Sequence, residues 1–435
     1  MELERTLTSA LRHHVGQRVR IMGWLHRLRT MGGVNFLVVR DRAGLAQAVL
    51  SADDLAALEG LHAETVLAVT GRVVETPQAP GGHELYEAAV EIITPVRDAA
   101  PFALYKDRVR ASLPVFLDHA VIGHRALERR AVLRLAAAIM AGFRAALDAR
   151  DFTEIQTPKL VSSATESGAN VFAVEYFGRT AYLAQSPQFY KQIMVGVFER
   201  VYEVGPVFRA EPHATSRHLN EYVSLDVEFG FIRDHTDVMD LLTDVVRGIL
   251  GHLESACALE LSALQVKMPV LPAQVPAIHF PDAQQLLHDR YGVRDAIGEP
   301  DLAPEHERLL GAWAKETRGS DFLFVTGYPM IKRPFYTHPN PADPRYSNSF
   351  DLLFRGLELV TGGQRLHRYA DYLSAAERFN YPLEPFAHYF EAFRFGMPPH
   401  GGFAIGLERF VAQLLGLENV RLATLFPRDI NRLEP

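Results

Sequence analysis

Cysteine is nearly absent from this chain, and long apolar runs are absent altogether. Cys257 is the single cysteine among 435 residues, so an intramolecular disulfide is excluded and a cysteine-based zinc site is not expected. No uninterrupted apolar run approaches the roughly 20 residues that span a membrane, and the first residues lack the apolar stretch of a secretory signal. These absences predict a cytoplasmic protein with no membrane partner.

Two common sequence signatures of nucleotide binding are also missing. Neither GxxxxGK(S/T) nor GxGxxG occurs, so a P-loop or Rossmann site is not supported. The formal net charge of −7 argues against nonspecific nucleic-acid binding over the whole surface. Residues 1–50 nevertheless hold eight arginines against three acids, a local excess that fits either phosphate contacts or an ordinary solvated surface.

The first hundred residues have the pattern of a small β-barrel. Alternating apolar residues bounded by turn residues predict five strands, with a short helix near residues 52–62 before the fourth. Five strands arranged in this way are typical of an OB-fold, whose sheet face stacks unpaired bases. The predicted strands are 18–28, 34–40, 46–50, 65–74 and 84–94.

A proline-rich, aperiodic stretch separates this barrel from a larger domain. We predict an OB-fold domain at 1–100, a linker at 101–120 and a second domain at 121–435. Strand and helix patterns in the second domain predict a mostly antiparallel sheet flanked by helices, of α+β class. Its predicted strands are 152–158, 181–183, 200–208, 223–231, 349–354, 356–361 and 402–406. Its predicted helices are 124–150, 187–197, 236–255, 282–291, 304–316, 373–379, 385–393 and 408–415.

Charged residues occur where a core strand is normally apolar, first at residues 208–228. Arg209 and Glu211 are two residues apart, as are Asp226 and Glu228, so each pair is expected to share one face of a strand. Burying such a face is costly unless the charges pair with each other or hold a ligand. An internal lattice of salt bridges and a ligand site both remain open on this pattern.

Two further segments repeat this departure from an apolar core. Asp351 and Glu358 flank a glycine turn, and two carboxylates beside substrate phosphates suit Mg²⁺. Taken without the neighbouring segments, the pattern favours an ordinary pair of salt-bridged acids. Residues 396–410 run from a glycine-rich strand into a helix that begins near Glu408. Arg409 in its first turn could bind a phosphate through two hydrogen bonds. Residues 270–321 carry no functional signal of their own.

Taken together, these segments resemble a known enzyme family. Residues 124–160, 200–230 and 396–415 resemble, in order and spacing, motifs 1, 2 and 3 of class II aminoacyl-tRNA synthetases. Residues 184–192, with the sequence AQSPQFYKQ, resemble the amino-acid-binding signature of aspartyl-tRNA synthetases in subclass IIb. That subclass carries an N-terminal OB-fold that binds the anticodon. The chain lacks the large insertion of bacterial-type enzymes and is similar to the compact archaeal-type branch.

The resemblance implies an ATP site in which Arg209, Glu211 and Arg409 carry the catalytic roles. ATP is a substrate, and Mg²⁺ is expected on Asp351 and Glu358. No side-chain nucleophile is required, because positioning and charge stabilisation supply most of the catalysis in this chemistry. The residues expected at ATP are Arg209, Glu211, Arg217, His218, Leu219, Tyr222, Glu358, Gly406 and Arg409.

The resemblance also assigns residues to the amino acid and to the anticodon. Lysine and arginine are the cations that a substrate side-chain carboxylate needs in a closed site. The residues expected at aspartate are Glu166, Ser186, Gln188, Lys191, Arg209, Asp226 and Arg365. The residues expected at the anticodon are His26, Arg29, Phe36, Gln47, Pro80 and Glu84.

Several partners and alternatives follow from the same resemblance. Motif 1 implies a homodimer, and His26 with Pro80 resembles the group that charges both tRNA-Asp and tRNA-Asn. Such an enzyme requires a tRNA-dependent amidotransferase, which becomes an expected partner. The alternatives are an enzyme specific for tRNA-Asp, a tRNA-independent enzyme similar to asparagine synthetase, and an inactive RNA-binding paralogue. The OB-like domain disfavours the second, and retention of Arg209 with Arg409 disfavours the third.

Overall fold

The chain forms two compact units, Met1–Arg130 and Ala131–Pro435. The computed structural model describes residues 3–106, 108–162, 170–379 and 383–435. The first unit extends past residue 120, where the predicted linker ends, because residues after 112 contact the barrel. Arg125 lies 3.1 Å from the carboxylate of Glu64, and its main-chain oxygen accepts a hydrogen bond from Arg40.

Five strands close into a barrel in the N-terminal unit. The strands are β1 (Arg18–Met31), β2 (Val34–Arg40), β3 (Leu45–Leu50), β4 (Val66–Glu75) and β5 (His83–Thr94), and the helices are α1 (Ala52–Ala57), α2 (Leu113–Asp118) and α3 (Ala120–Gly123). Their order around the barrel is β1-β2-β3-β5-β4. This order confirms the OB-fold prediction, and each strand lies within three residues of its predicted bounds.

Alternate residues of the strands fill the barrel interior. Ile21, Leu37 and Val69 are fully buried there, and burial of each such side chain contributes roughly 1.5–3 kcal/mol. Gly23 allows β1 and β2 to approach closely, since a Cβ at this position would lie 2.2 Å from the main-chain oxygen of Arg40. The barrel therefore depends on both its apolar alternation and one residue without a side chain.

The larger unit contains an eight-stranded sheet, a three-stranded sheet and flanking helices. The strands are β6 (Thr153–Glu154), β7 (Leu160–Val161), β8 (Ala173–Tyr176), β9 (Arg179–Leu183), β10 (Arg200–Phe208), β11 (Glu221–Gly230), β12 (Ala277–His279), β13 (Phe322–Thr326), β14 (Ser349–Phe354), β15 (Leu357–Gln364) and β16 (His400–Gly406). The helices are α4 (Leu127–Asp148), α5 (Gln188–Phe198), α6 (His235–Ala256), α7 (Ala258–Ala263), α8 (Phe280–Tyr291), α9 (Pro304–Arg318), α10 (Tyr369–Arg378), α11 (Ala387–Arg394) and α12 (Leu407–Leu415).

The large sheet has the order β12-β13-β14-β15-β16-β11-β10-β6. Every pair from β13 to β10 is antiparallel, whereas β12 and β6 pair in parallel at the two edges. Apolar stripes on α4 and α6 enter the core shared with this sheet, through residues such as Ile139, Phe143 and Leu242. The mostly antiparallel α+β prediction is confirmed.

Several local predictions of secondary structure were wrong or incomplete. Only Thr153–Glu154 pairs as a strand within the predicted 152–158 segment, and the chain rejoins a different sheet at Leu160–Val161. Pro158 lies between these strands and cannot donate to a sheet ladder. The strands Ala173–Tyr176, Ala277–His279 and Phe322–Thr326 were not predicted, nor were the short helices α2, α3 and α7. All are short, and a run of a few residues carries too little periodicity to identify an element.

No helix within the described residues is both long enough and apolar enough to cross a membrane.

Candidate active site

A cavity of about 300 Å³ opens beside β11, β15, β16 and the first turn of α12. All nine residues predicted for ATP line this single cavity, although they come from widely separated parts of the chain. The lining residues are Arg209, Glu211, Arg217, His218, Leu219, Tyr222, Ser224, Glu358, Leu359, Thr361, Ala404, Gly406, Glu408, Arg409 and Val420. The antiparallel pairing of β11 with β16 and of β16 with β15 brings these segments together.

Two arginines, Arg209 and Arg409, line the cavity. The Arg409 guanidinium donates a hydrogen bond to the main-chain oxygen of Glu358 at 2.9 Å. Arg209 lies over the ring of Tyr222, with its guanidinium carbon 5.9 Å from the ring centroid. Guanidinium groups bind phosphate through paired hydrogen bonds, and an exposed aromatic face suits stacking of a base. The arrangement is therefore suited to a nucleotide.

One expectation about this motif is corrected by the backbone. Arg209 and Glu211 do not share the face of a strand, because β10 ends at Phe208. The main-chain N–H of Arg209 donates to the oxygen of Asn220, and that of Glu211 donates to the oxygen of Arg209. Both side chains therefore project from a turn beyond the sheet edge, and they still reach the cavity.

His218 enters the cavity as a neutral imidazole near neutral pH. Burial lowers its pKa, and the positive charge of Arg409 lowers it further. Its Nδ1 lies 2.6 Å from the hydroxyl of Thr215. His218 is therefore suited to hydrogen bonding with a ligand and does not add a full positive charge.

The two carboxylates predicted to bind Mg²⁺ are placed differently from each other. Glu358 lines the cavity, whereas Asp351 is buried and lies 3.0 Å from the guanidinium of Arg333. Burial and the negative charge of Glu358 raise the pKa of Asp351 to about 6, against the opposing effect of Arg333. The two carboxylates therefore lie close enough to repel each other, and such a pair suits Mg²⁺ beside substrate phosphates. Among the described residues no group of three or more potential metal ligands occurs.

Glu307 contacts two residues of this site and was missed in the sequence. It lies on α9, and its carboxylate accepts the main-chain N–H of Glu358 at 3.1 Å and lies 4.0 Å from Arg217. Burial and the nearby charge of Glu358 raise its pKa to about 7. Its spacing to the buried residues Leu310 and Ala314 places an acid on the apolar face of a helix. This acid on an apolar helix face is the feature of the sequence from which Glu307 could have been predicted.

A second group of charges is buried farther along β11 than the cavity-lining residues Tyr222 and Ser224, where aspartate was predicted. Lys191 is only 2% exposed, and its Nζ lies 3.0 Å from Asp226 and 3.3 Å from Glu228. Arg365 lies 3.0 Å from the other oxygen of Glu228. We call these four residues the charge quartet. Asp226 and Glu228 are therefore salt-bridged, and their partners are Lys191 and Arg365.

Uncharged side chains on α5 and β16 form a hydrogen-bonded network next to Lys191 of the quartet. The amide of Gln188 donates to Gln192 at 2.9 Å, and the amide of Gln192 lies 2.9 Å from Nε2 of His400. Burial lowers the pKa of His400 to about 4, and its Nδ1 contacts the main-chain oxygen of Pro398. A neutral His400 therefore donates from Nδ1 and accepts from Gln192. Gln192 and His400 were missed because each appears ordinary in sequence.

Two other residues predicted for aspartate need separate mention. The hydroxyl of Ser186 accepts the main-chain N–H of Gln188 at 3.1 Å, so Ser186 positions the start of α5. Glu166 lies outside the described residues. Lys191, Gln188, Ser186, Asp226 and Arg365 are brought together by α5, β11 and the end of β15.

Four of the predicted anticodon residues form one connected group on the barrel. Arg29 donates to Gln47, and Gln47 donates to Glu84 at 2.7 Å. The Arg29 guanidinium also lies 5.4 Å from the ring centroid of Phe36. Phe36 is half-buried and keeps part of its ring available for stacking. Pro80 begins a separate 3₁₀ turn, Pro80–Gly82.

His26 does not fit the predicted role of a base-contacting residue. It is 5% exposed, at a bulge in the pairing of β1 with β2. Burial and the positive charge of Arg40 lower its pKa to about 4. A direct contact with an anticodon base is therefore not available in this structure. The bulge places two consecutive residues of β1 in the interior, which simple alternation does not predict.

Glu408 offers a test of the electrostatics at the first turn of α12. Burial raises its pKa to about 7, and its carboxylate accepts the main-chain N–H of Val223 at 3.1 Å. Because the pKa of Glu408 is higher in the folded state than in the unfolded state, protonation of Glu408 stabilises the folded protein. This stabilisation is complete below about pH 4.5 and is lost as the pH rises through about 7. Glu408→Gln keeps the acceptor without the charge and should stabilise the protein by about 1–3 kcal/mol at pH 8.

Denaturant unfolding of wild type and Glu408→Gln at pH 5 and pH 8 measures this effect. The exposed Glu305, on α9, supplies a matched control as Glu305→Gln. A stability difference between wild type and Glu408→Gln that is the same at both pH values would contradict the assignment.

Sequence comparisons place this geometry in a known family. Residues 114–430 match the family described as tRNA synthetases class II (D, K and N). Residues 19–93 match the OB-fold nucleic acid binding domain. The chain belongs to the class II tRNA synthetases. This synthetase therefore uses ATP to activate an amino acid, which it transfers to tRNA.

Individual relatives agree with the family over their full lengths. This synthetase is 47% identical to the aspartate–tRNA(Asp/Asn) ligase of Deinococcus radiodurans, over 100% of this chain and 99% of the relative. It is also 47% identical to the aspartate–tRNA(Asp/Asn) ligase of Thermus thermophilus, over 99% of this chain and 100% of the relative. The asparaginyl-tRNA synthetase of Pyrococcus horikoshii, solved with asparaginyl-adenylate, superposes with a TM-score of 0.92, 29% identity and full coverage of both chains.

Proposed function

We infer that this synthetase activates L-aspartate with ATP and transfers it to both tRNA-Asp and tRNA-Asn. The charge quartet is the observation that carries the choice of amino acid. Two buried cations, Lys191 and Arg365, pair with carboxylates of β11, the strand that also lines the cavity with the arginines expected at ATP. A carboxylate side chain needs such cations in a desolvated site. The Deinococcus and Thermus relatives carry the same activity in their names.

The proposed reaction proceeds by positioning and charge stabilisation. Arg209 holds the α-phosphate and the substrate carboxylate, and Arg409 holds the γ-phosphate. An oxygen of the aspartate α-carboxylate bonds to the α-phosphorus while the bond to the bridging oxygen breaks, and pyrophosphate leaves with that oxygen. Glu358 and Asp351 would hold Mg²⁺, which offsets phosphate charge when bound. Tyr222 stacks on adenine, and Glu211 accepts hydrogen bonds from its edge.

The second step needs no further residue to act as nucleophile. A hydroxyl of the terminal tRNA ribose attacks the activated carbonyl carbon, and AMP leaves with the bridging oxygen. Each negative charge that develops lies close to a guanidinium in the cavity, which is the largest catalytic effect available to such a site.

The acceptance of two tRNAs is the most specific part of the proposal. The two anticodons differ at the third base, C in tRNA-Asp and U in tRNA-Asn. Pro80 offers neither a side-chain donor nor a main-chain N–H there, so little remains to distinguish the two bases. Because His26 is buried, it acts on this selection only through the shape of β1, and the selection rests mainly on Pro80.

Aminoacylation of separate tRNA-Asp and tRNA-Asn transcripts tests this proposal. We expect values of kcat/KM for the two tRNAs within about tenfold of each other. A preference for tRNA-Asp beyond about a hundredfold, near 2.7 kcal/mol, would show that the enzyme is specific for tRNA-Asp. An enzyme that forms adenylate but charges neither transcript would be tRNA-independent.

Phe36 provides a test that separates tRNA recognition from amino-acid activation. Phe36→Ala should lower kcat/KM for tRNA charging by the equivalent of about 1–3 kcal/mol, the value of one base stacked on an aromatic ring. Aspartate-dependent pyrophosphate exchange without tRNA should remain within about twofold. A parallel fall in both activities would identify Phe36 as a structural residue of the barrel. Val34→Ala, at an exposed position two residues earlier, is the control.

We also propose a homodimer that works in the cytoplasm with a tRNA-dependent amidotransferase. Exposed apolar side chains near motif 1, at Leu160, Tyr176 and Phe177, suit a second copy of the chain. Light scattering tests the dimer against the 48.6 kDa of one chain. The amidotransferase follows from chemistry, because aspartate on tRNA-Asn must be amidated before translation can use it.

A further inference from the structure

A second cavity, of about 190 Å³, adjoins the ATP cavity and has no assigned ligand. The two cavities share Arg217, Arg409 and Val420 among their lining residues. The second is formed by the start of α9, the turn between β14 and β15, and α12. An anion held between Arg217 and Arg409 therefore borders both cavities.

The lining of the second cavity is strongly basic. Four arginines contribute to it, against the single carboxylate of Glu418. Arg355 is held in place by main-chain oxygens, including that of Lys267 at 2.7 Å. These carbonyl groups orient its guanidinium, and the carboxylate of Asp321 lies 3.7 Å from its Nε. The four arginines are Arg217, Arg308, Arg355 and Arg409.

Arg308 is the arginine that remains available to a ligand. It is exposed on α9, and no hydrogen bond or ion pair involves it within the described part of the chain. The backbone of Arg308 packs closely against Gly356. A Cβ added to Gly356 would lie only 2.7 Å from the Cα of Arg308. Arg217, by comparison, has the carboxylate of Glu307 at 4.0 Å. A preformed site for a multivalent anion results.

We propose that the second cavity binds inorganic pyrophosphate, with Arg308 as its principal ligand. The inference rests on the proposed function, in which adenylate formation releases pyrophosphate beside Arg217 and Arg409. Several guanidiniums in a small cavity favour a compact anion with more than one charge over a single carboxylate. Pyrophosphate passes between the two shared arginines as it leaves, and in the reverse reaction the second cavity captures it before it returns to the α-phosphorus.

Arg308→Ala is the variant that tests the site. Pyrophosphorolysis of enzyme-bound aspartyl-adenylate gives the KM for pyrophosphate, and the forward reaction gives the KM for ATP. We expect the KM for pyrophosphate to rise at least about fivefold, the loss from one charged donor, while the KM for ATP stays within about twofold. Arg318→Ala, an exposed arginine on the same helix outside the cavity, should change neither.

Other outcomes would overturn the proposal. An unchanged KM for pyrophosphate would show that the second cavity does not bind pyrophosphate. An equal rise in the KM for ATP would show that Arg308 binds the nucleotide. A rise confined to the KM for tRNA assigns the cavity to a tRNA phosphate. Binding of inorganic pyrophosphate alone, measured by calorimetry on wild type and Arg308→Ala, needs no aspartate chemistry. Failure of the proposed function would appear separately, as absence of aspartate-dependent exchange in the wild type.

Discussion

Replacement of Lys191 by leucine is expected to lower kcat/KM for aspartate activation by at least about thirtyfold. This corresponds to about 2 kcal/mol of transition-state binding. Lys191 supplies one of the two positive charges of the quartet and lies within 3.3 Å of both Asp226 and Glu228. Without it, a substrate carboxylate would enter a site that already holds an excess of one negative charge. Aspartate-dependent pyrophosphate exchange measures the effect.

The same substitution also leaves two buried carboxylates with a single cation, so stability must be measured alongside activity. Breaking a buried pair costs about 3–5 kcal/mol, and a fall in the unfolding temperature is expected. Lys332→Leu, at an exposed lysine, controls for loss of charge alone. Asp226→Asn combined with Lys191→Leu restores neutrality and keeps the fold testable. An unaltered kcat/KM for aspartate in Lys191→Leu would refute the assignment.

Arg209→Ala is expected to lower the rate of pyrophosphate exchange by about 10²–10³-fold, as for removal of one donor from a charge-stabilising site. Arg209 is the arginine expected to contact both the α-phosphate and the substrate carboxylate, where the new bond forms. The loss should appear mainly in kcat, because the interaction strengthens as charge develops in the transition state.

Arg233→Ala is a suitable control for Arg209→Ala, since the Arg233 side chain is 79% exposed and pairs only with nearby Asp237 in the described structure. A loss confined to the KM for ATP would indicate a binding role without catalysis. A rate of pyrophosphate exchange in Arg209→Ala within about threefold of the wild-type rate would show that Arg209 is not a catalytic residue.

The sequence predicted the elements whose patterns were long or sharply bounded. The strands Val34–Arg40 and Arg200–Phe208 were predicted to the residue, because each is an apolar run with turn residues on both sides. The ATP residues were predicted through spaced motifs, and the sheet pairing then brought them to one cavity. Local signals therefore sufficed wherever function depended on a continuous segment.

Burial set by distant parts of the chain could not be predicted. Asp351 lies against Arg333, eighteen residues away in sequence, and no local pattern links the two. His26 is buried through a bulge, which reverses the face expected from alternation. Glu307 contacts the cavity-lining residues Glu358 and Arg217 only because α9 packs beside β15. Each depends on which element lies opposite, and that is decided by tertiary packing.

The mutual neutralisation within the charge quartet has an evolutionary consequence. A change at Lys191 alone leaves Asp226 and Glu228 undercompensated, whereas a change at Asp226 alone leaves a surplus of positive charge. Substitutions at these positions should therefore show strong epistasis, with coupling energies of about 0.5–3 kcal/mol. Drift from aspartate towards asparagine specificity is then expected to require paired replacements, so ancestral intermediates that carry only one of them should be rare.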